Sequence, residues 1–373
     1  MSAKDPNKNI ILTVSAVLII AFLSLGTLIM PDREKSDNEN RYLAQAPHFD
    51  IEDILSGEFE EDSEEYLTDQ IIGREQWIGM YSNILKLGLR KDINGVYLLK
   101  DGVLAERTTP WEFDRDAFQG NLDNVALLRD DLLGEIPVDV ILVPSASFAN
   151  RAYYNMSTNF DEYICFSQAE DALGDDLILL RSQMDPGMYY KTDHHWNMKG
   201  AMKAASVYLS RAGLKVDLPE LETVSGGFRG TLYSKILMNG EVTDEIQLPA
   251  GWEDDRTKLI ADGEEFGSIY FGERLDQKDQ YEVYLGGNYS RADIIPENGS
   301  GKPSLLIVKD SYANSFVPAI LEDFSRITLL DPRYFRGSVE AVAEGEGYDR
   351  VLILFSTVNF SQQKLELTKS MLG

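Results

Sequence analysis

Residues 10–30 form an unbroken run of uncharged positions, Ile-Ile-Leu-Thr-Val-Ser-Ala-Val-Leu-Ile-Ile-Ala-Phe-Leu-Ser-Leu-Gly-Thr-Leu-Ile-Met. About 20 such residues are needed for a helix to cross a bilayer. No polar face interrupts the run, which argues against a buried helix of a soluble core. The run is longer than the apolar stretch of a secretory signal, and no Ala-x-Ala site follows it. A retained signal anchor is therefore expected, with a cleaved signal peptide as the alternative. Lys4 and Lys8 precede the run, but Arg33 and Lys35 follow it, so flanking charge hardly sets its direction. Orientation rests on the run coming first and on a short tail. The expectation is a cytoplasmic tail at 1–9, a single pass at 10–30 and an extracytoplasmic remainder from 31 to 373.

The pattern then changes three times. Residues 31–48 include the charged stretch Asp-Arg-Glu-Lys-Ser-Asp-Asn-Glu-Asn-Arg and read as a stalk with little to bury. From 49 to 87 the apolar residues fall at helical spacing: Ile51, Ile54 and Leu55, then Tyr66, Leu67 and Ile71, then Trp77, Met80, Ile84 and Leu85. Asp50 stands where a helix N-cap is expected, and the acidic run 58–65 reads as a solvated face. These helices are expected to pack on a main domain spanning 49–373. Within that domain, short apolar runs at 138–144, 304–308, 326–330 and 350–355 alternate with helical stretches at 315–324 and 339–343. Such alternation predicts a mostly parallel sheet covered by helices on both faces. Between about 219 and 303 the texture turns to glycine pairs and short alternating runs, among them 268–271 and 281–285. A β-rich insertion built of hairpins is expected there.

Composition narrows the function. The chain carries 35 Lys+Arg against 62 Asp+Glu, a net charge of −27, and 43% of it is hydrophobic. A core of that size excludes global disorder. The negative balance argues against nucleic acid as a partner and against adsorption to anionic headgroups. A lone Cys165 excludes an internal disulfide framework, and with only His48, His194 and His195 no ligand set for a metal is in sight. No metal or cofactor is expected.

Two short strings carry candidate chemistry. Tyr190-Lys191-Thr192-Asp193-His194-His195-Trp196-Asn197 leads into a helical stretch at 198–211, with Asn197 as its N-cap. Lys309-Asp310-Ser311-Tyr312 follows the apolar run at 304–308 and precedes a helix. A serine at such a strand-to-helix turn stands at the carboxyl edge of the sheet, where ligands of open α/β sheets bind. A nucleophilic serine needs a base, and the base needs an orienting carboxylate. Ser311, His195 and Asp193 can fill these roles. Each string also has a plainer reading as a helix cap. His194 and His195 are adjacent, so on an extended loop their rings point apart and only one can meet Ser311.

The Asp193-His194-His195-Trp196 string, taken with Asp310-Ser311, resembles the DHHW protein family. That family lies within the SGNH-hydrolase-like proteins of polysaccharide O-acetylation, such as the alginate acetylation proteins. Softer landmarks extend the resemblance over most of the chain: Glu39-Asn40-Arg41, Ser56-Gly57, Asp69 with Gly73-Arg74, 95–102, Val143-Pro144, Phe228-Arg229-Gly230-Thr231-Leu232 and Asp331-Pro332-Arg333-Tyr334. The resemblance implies a three-layer α/β/α fold. It also implies Asp193 as orienting carboxylate, His195 as base and Ser311 as a nucleophile that forms an acyl-enzyme. Asp310, Trp196, Asn314 and Asn359 are expected as supporting or oxyanion residues, beside the Ser311 N–H. Lys309 stands where glycine is usual.

The function implied is a membrane-anchored, extracytoplasmic O-acetyltransferase acting on a secreted or cell-surface polysaccharide. Its acyl donor would be a membrane-bound O-acyltransferase. A carbohydrate esterase with the same triad, or a non-catalytic glycan-binding scaffold, remain alternatives. The acidic balance favours a neutral or amino-sugar acceptor over a polyanion. Trp111 and Trp252 are further candidates for stacking on sugar.

Overall fold

The apolar runs of the second half of the chain become neighbouring strands of one sheet, because both faces of each strand find a helical or looped layer to bury against. A computed structural model describes residues 6–365 except 37, 40, 89, 90, 135, 239, 241 and 363. The first five residues of the expected tail, Asn40 of the Glu39-Asn40-Arg41 string and residues 366–373 lie outside the described residues. The chain divides into two compact units, one of residues 1–90 with 234–240 and one of 91–233 with 241–373. Residues 49–90 of the expected main domain fall in the first of these units.

The second unit is mixed α/β and is built on an eight-stranded sheet. Its strands are β1 (Val138–Val143), β2 (Leu177–Ile178), β3 (Lys258–Ala261), β4 (Glu264–Phe266), β5 (Arg291–Ile295), β6 (Ser304–Lys309), β7 (Arg326–Leu330) and β8 (Arg350–Ser356). The spatial order is β4-β3-β5-β7-β6-β8-β1-β2. From β7 to β2 every pairing is parallel, whereas β5, β3 and β4 join antiparallel. The β-rich insertion therefore extends the main sheet with three of its own strands.

Side chains alternate between two cores along each parallel strand. Leu305, Ile307, Leu352 and Leu354 face the layer of α3 (Met198–Arg211) and α4 (Ala313–Ile320). Leu306, Val308, Val351 and Ile353 face the other layer, which contains α1 (Arg115–Leu127), α2 (Glu162–Leu173), α5 (Val339–Glu346) and α6 (Thr357–Gln362). The result is the expected three-layer arrangement.

Two expectations for the insertion need correction. Residues 268–271 and 281–285 are not hairpin strands; they share one isolated bridge, Tyr270 to Tyr284, and Gln280–Val283 is a 3-10 turn. The reason is local. Asp255 captures the Ser268 hydroxyl (2.8 Å) and the Ile269 N–H (3.0 Å), and positive φ angles at Leu285 and Gly286 turn the chain away. The insertion's hairpins are instead β3–β4 and the pair Leu221–Phe228 with Asp244–Pro249.

The first unit contains one helix long and apolar enough to cross a membrane, Pro6–Ile29, with a mean hydropathy of 2.5 over Ile10–Thr27. The expected stalk is folded within this unit. Lys35–Ser36 pairs with Arg41–Tyr42, and Arg41 forms a two-pronged ion pair with Asp69. Asp69 also accepts from Ala44 N (2.9 Å), so the charges of the stalk have partners there and Leu43 is buried. Asp50 caps Ile51–Ser56 as expected, and helices Glu58–Gln70 and Arg74–Leu87 follow. Trp77, Met80 and Ile84 do not turn inward as their spacing suggested. They are exposed, while Gly79 and Ser82 form the buried side of their helix.

Leu352 lies at the middle of β8, between β6 and β1, with no exposed surface. Leu352→Ala is expected to destabilise the chain by roughly 2–5 kcal/mol, since the packed strands on either side cannot collapse into the void. Urea unfolding followed by tryptophan fluorescence measures it, and an unchanged midpoint would contradict this account of the core.

Candidate active site

The carboxyl ends of the parallel strands deliver one half of the site. β6 ends at Lys309, and the chain turns through Asp310 and Ser311 into α4. Asp310 braces that turn. Its carboxylate accepts from Tyr312 N (3.0 Å), from Ser356 N at the end of β8 (2.8 Å) and from Asn359 Nδ2 (2.8 Å). Both oxygens are spent on holding the Ser311 turn against its neighbouring strand. Among the described residues no acceptor is paired with the Ser311 N–H.

The other half comes from the loop before α3. Asn197 caps that helix as expected, accepting from Lys199 N (3.0 Å) and Gly200 N (3.2 Å). Ahead of it the chain is bent, because Asp193 Oδ1 accepts from His195 N two residues on (2.9 Å). The same oxygen accepts from His195 Nδ1 at 2.6 Å, and His195 Nε2 lies 2.7 Å from Ser311 Oγ. Asp193 can only accept, so Nδ1 carries the proton and Nε2 is free to accept from the serine hydroxyl. Ser311, His195 and Asp193 thus form one hydrogen-bonded chain, although Ser311 and His195 are 116 residues apart.

Burial sets the protonation. The His195 ring is buried, which together with the neighbouring His194 pushes its pKa below that of an ordinary imidazole, against the pull of Asp193. Burial acts to raise the Asp193 carboxyl, but the two imidazoles and their hydrogen bonds overcome it and hold Asp193 well below the usual carboxylate range. The arrangement is a neutral imidazole between a hydroxyl and a carboxylate.

The surrounding residues explain why this geometry holds. The outer oxygen of Asp193 accepts from Thr231 N (2.7 Å) and Thr231 Oγ1 (3.0 Å). Gly230 lets Thr231 approach so closely: a Cβ there would lie 2.2 Å from Asp193 Oδ2. Asp244 anchors the loop just upstream, accepting from Lys191 N (2.7 Å), Thr192 N (2.8 Å) and Thr192 Oγ1 (2.6 Å). Tyr281 stacks on the His195 ring, with centroids 4.0 Å apart and planes within 9°, and its hydroxyl donates to Ser311 O (3.0 Å). Gly230, Thr231, Asp244 and Tyr281 were not singled out as site residues by sequence reasoning. Only the Phe228-Arg229-Gly230-Thr231 string carried any signal, as an unexplained landmark.

The remaining sequence candidates divide. Trp196 is fully buried, with Nε1 donating to Tyr312 O (3.1 Å) and Ser315 Oγ (2.9 Å), so it supports the site from beneath. Asn314 is not placed as an oxyanion donor. Its amide nitrogen is directed to Gly287 O (3.2 Å) and Asn288 Oδ1 (3.3 Å), and its oxygen accepts from Lys309 Nζ (2.8 Å). Asn359 gives a hydrogen bond to Asp310 and braces the turn. The expectation that the two histidine rings point apart fails because the loop is bent; their centroids are 3.9 Å apart. His194 Nδ1 instead donates to Thr231 Oγ1 (2.7 Å). Lys309, in the usual glycine position, runs back into the protein, donating also to Asn288 Oδ1 (2.7 Å), and burial pushes its pKa down to about 8. Trp111 is exposed, whereas Trp252 is half-buried against Tyr270.

Ligand atoms of Asp193, His194 and His195 lie within 4.8 Å of one another, a spacing a metal ion could use. The donor set does not fit one. Both oxygens of Asp193 and both ring nitrogens of His195 are already committed to hydrogen bonds that point elsewhere in the site.

A sequence profile of the family described as DHHW protein matches residues 142–330. The chain belongs to the DHHW family. A DHHW family protein from Eubacterium siraeum is similar in structure, with 23% identity and a TM-score of 0.60 over 75% of this chain and 96% of that one. PatB1 of Bacillus cereus is similar at 18% identity and a TM-score of 0.60, over 73% of this chain and 99% of PatB1. A second PatB1 structure, which carries a sulfonyl adduct, matches at 18% identity with a TM-score of 0.57 over 74% and 100% of the two chains. These likenesses show that the DHHW chain shares their fold. No curated protein is significantly similar to it.

Gly230→Ala is expected to push Thr231 off Asp193 and loosen the Asp193–His195 pair. A strongly downfield proton resonance from His195 Nδ1–H, present in the parent chain, should then shift upfield or vanish in the NMR spectrum. Its persistence unchanged in a folded variant would show that Thr231 does not hold the carboxylate.

Proposed function

We propose that this DHHW protein is an extracytoplasmic, membrane-anchored O-acetyltransferase that acts on a secreted or cell-surface polysaccharide through an acyl-enzyme. The observation that carries the reading is the hydrogen-bonded chain Asp193–His195–Ser311 with its imidazole held neutral. Family membership supports the substrate class, since the chain resembles proteins of polysaccharide O-acetylation. The apolar helix Pro6–Ile29 supports the anchor.

The chemistry follows from the geometry. His195 Nε2 takes the Ser311 proton as Oγ attacks an acetyl carbonyl, and the new imidazolium is stabilised by Asp193. The Ser311 N–H faces the developing oxyanion. Collapse expels the donor's leaving group, which receives the proton from His195 and leaves acetyl on Ser311. A sugar hydroxyl then gives its proton to His195 and attacks the acetyl-serine, which regenerates the hydroxyl. Water in place of the sugar gives the esterase. The donor would be a membrane-bound O-acyltransferase that presents acetyl outside the membrane.

With p-nitrophenyl acetate as donor and the full chain in detergent, Ser311→Ala and His195→Ala should each lower turnover by roughly 10³-fold or more. Variants that work like the parent chain would sink the enzyme reading and leave the glycan-binding scaffold. Acetyl transfer to an added oligosaccharide in excess of release to water selects transferase over esterase. A sulfonyl fluoride should add to Ser311 in the parent chain, detected by mass spectrometry, and fail to add in His195→Ala.

The direction of the His195 shift fixes the acid limb. A base must be unprotonated, and a pKa below the ordinary imidazole value of about 6.5 keeps His195 unprotonated to lower pH. The acid limb of kcat/KM is expected to fall below about pH 6.5; a limb at pH 7 or above would show that the ring is not held neutral. At low salt the net charge of −27 should favour a neutral or amino-sugar polymer over a uronate polymer, and equal transfer to both would contradict that preference.

A further inference from the structure

Helix Arg74–Leu87 is amphipathic in the reverse of the usual sense. Trp77, Met80, Tyr81, Ile84 and Leu87 are between 43% and 84% exposed. They sit at i, i+3, i+4, i+7 and i+10, which places them on one face of the helix along about 15 Å of its length. The opposite side is buried through Gly79 and Ser82, and Asn83 turns its amide back onto Gly79 O. Soluble surfaces seldom leave an apolar stripe of this length to water.

The stripe begins beside the end of the apolar helix. Ile72 N donates to Thr27 Oγ1 (3.2 Å), and the Ile72 side chain packs on Gly26, where a Cβ would lie 3.2 Å from Ile72 Cδ1. Gly73, with φ of 71°, then turns the chain into Arg74–Leu87. Trp77 Nε1 donates back to Ile72 O (3.2 Å), so the first ring of the stripe is tied to the residue that touches the apolar helix. Phe49, Ile51 and Leu55 of the same unit are exposed as well.

We propose that Arg74–Leu87 lies on the membrane surface, with its Trp77–Leu87 stripe in the interfacial layer of the bilayer that the Pro6–Ile29 helix enters. The inference rests on the anchored reading given above. Tryptophan and tyrosine prefer that layer because their rings are apolar and their N–H or O–H is polar. An interfacial helix buries its apolar face about 5–10 Å deep. Anionic lipid is not the attraction, because the chain carries −27. Apolar burial is, and it is insensitive to salt.

The test places single cysteines by Tyr81→Cys and Ile84→Cys in the full chain, with Tyr153→Cys as a water-exposed reference and the buried Cys165 left in place. Each is labelled with an environment-sensitive nitrobenzoxadiazole dye and reconstituted into phosphatidylcholine vesicles. Labels at 81 and 84 should emit at shorter wavelength than the label at 153. Brominated phosphatidylcholine should quench them roughly twofold or more, equally at about 0.1 and 1 M salt, as expected for apolar burial. Labels at 81 and 84 as aqueous as the label at 153 overturn the proposal. Protection from aqueous iodide without quenching by brominated lipid overturns it too, since a partner protein or a second copy would then cover the stripe. Carbonate extraction separates this inference from the anchor. A chain stripped by the wash loses the anchored reading, while lipid quenching before the wash still supports the surface helix.

Discussion

One buried carboxylate organises the site. Asp193 is almost wholly withdrawn from water, and an ion in that position is tolerated only when hydrogen bonds replace its hydration. Asp193 receives them from two directions: the ring and backbone N–H of His195, and the hydroxyl and backbone N–H of Thr231. The first pair bends its own loop into a compact turn. The second draws a segment of the β-rich insertion onto that loop so closely that residue 230 has no room for a side chain. Removing the charge would take away the bond that bends 193–195 and the two that hold Thr231, leaving residue 230 tied to the loop by Gly230 N donating to Thr192 Oγ1 (3.1 Å). The position of the His195 ring against Ser311 is a consequence of satisfying this one group.

The carboxylate and the imidazole share a buried setting and respond to it oppositely. Desolvation disfavours the charged form of each, but Asp193 collects several donors, whereas His195 collects one acceptor and a neighbouring imidazole. The outcome is an ionised acid beside a neutral base, the division of roles that proton transfer from a hydroxyl requires. Lys309 presents a third solution beside the Ser311 turn. Its amine is buried as deeply, and it is held by the oxygens of Asn288 and Asn314, with Asp331 at 3.9 Å. Asp331 is itself shared with the guanidinium of Arg333. Lysine at position 309 is thus accommodated beside the Ser311 turn, its amine held at Asn288 and Asn314.

What the sequence made legible follows from which interactions are local or repetitive. Strands buried on both faces read as continuous apolar runs, and β1, β6, β7 and β8 were recognisable for that reason. Asp193 and His195 were recognisable because the groups that bond are two residues apart, and Ser311 because a strand-to-helix turn leaves few places for a hydroxyl to point. Tyr281, Thr231 and Asp244 were not recognisable. Their roles exist only once the insertion has folded over the loop at 190–197, and nothing in a tyrosine within an alternating run distinguishes a stacking partner from a strand residue. The same run misled about structure, since Asp255 and the positive φ at Leu285 and Gly286 decide its path. The opposed histidine rings failed on a similar point: alternation applies to an extended chain, and an aspartate that captures the N–H two residues on does not leave the chain extended.

The helix Arg74–Leu87 shows a second limit of pattern reading, and its cause is more general. Apolar periodicity identifies a face that avoids water, but it does not name the medium that replaces water. In a soluble domain the answer is the protein's own core, the reading that the spacing of residues 77, 80 and 84 suggests. In a chain whose first helix has the composition of a membrane span, the bilayer offers a second apolar medium. The buried side of this helix is then free to be small and polar, as Gly79 and Ser82 are. Residue size decides between the two. A face meant for a protein core pairs large apolar groups with a tight neighbour, whereas here the large groups point away from the buried side of the helix, and Gly79 lies against the backbone carbonyl of Leu237, where a Cβ would have no room.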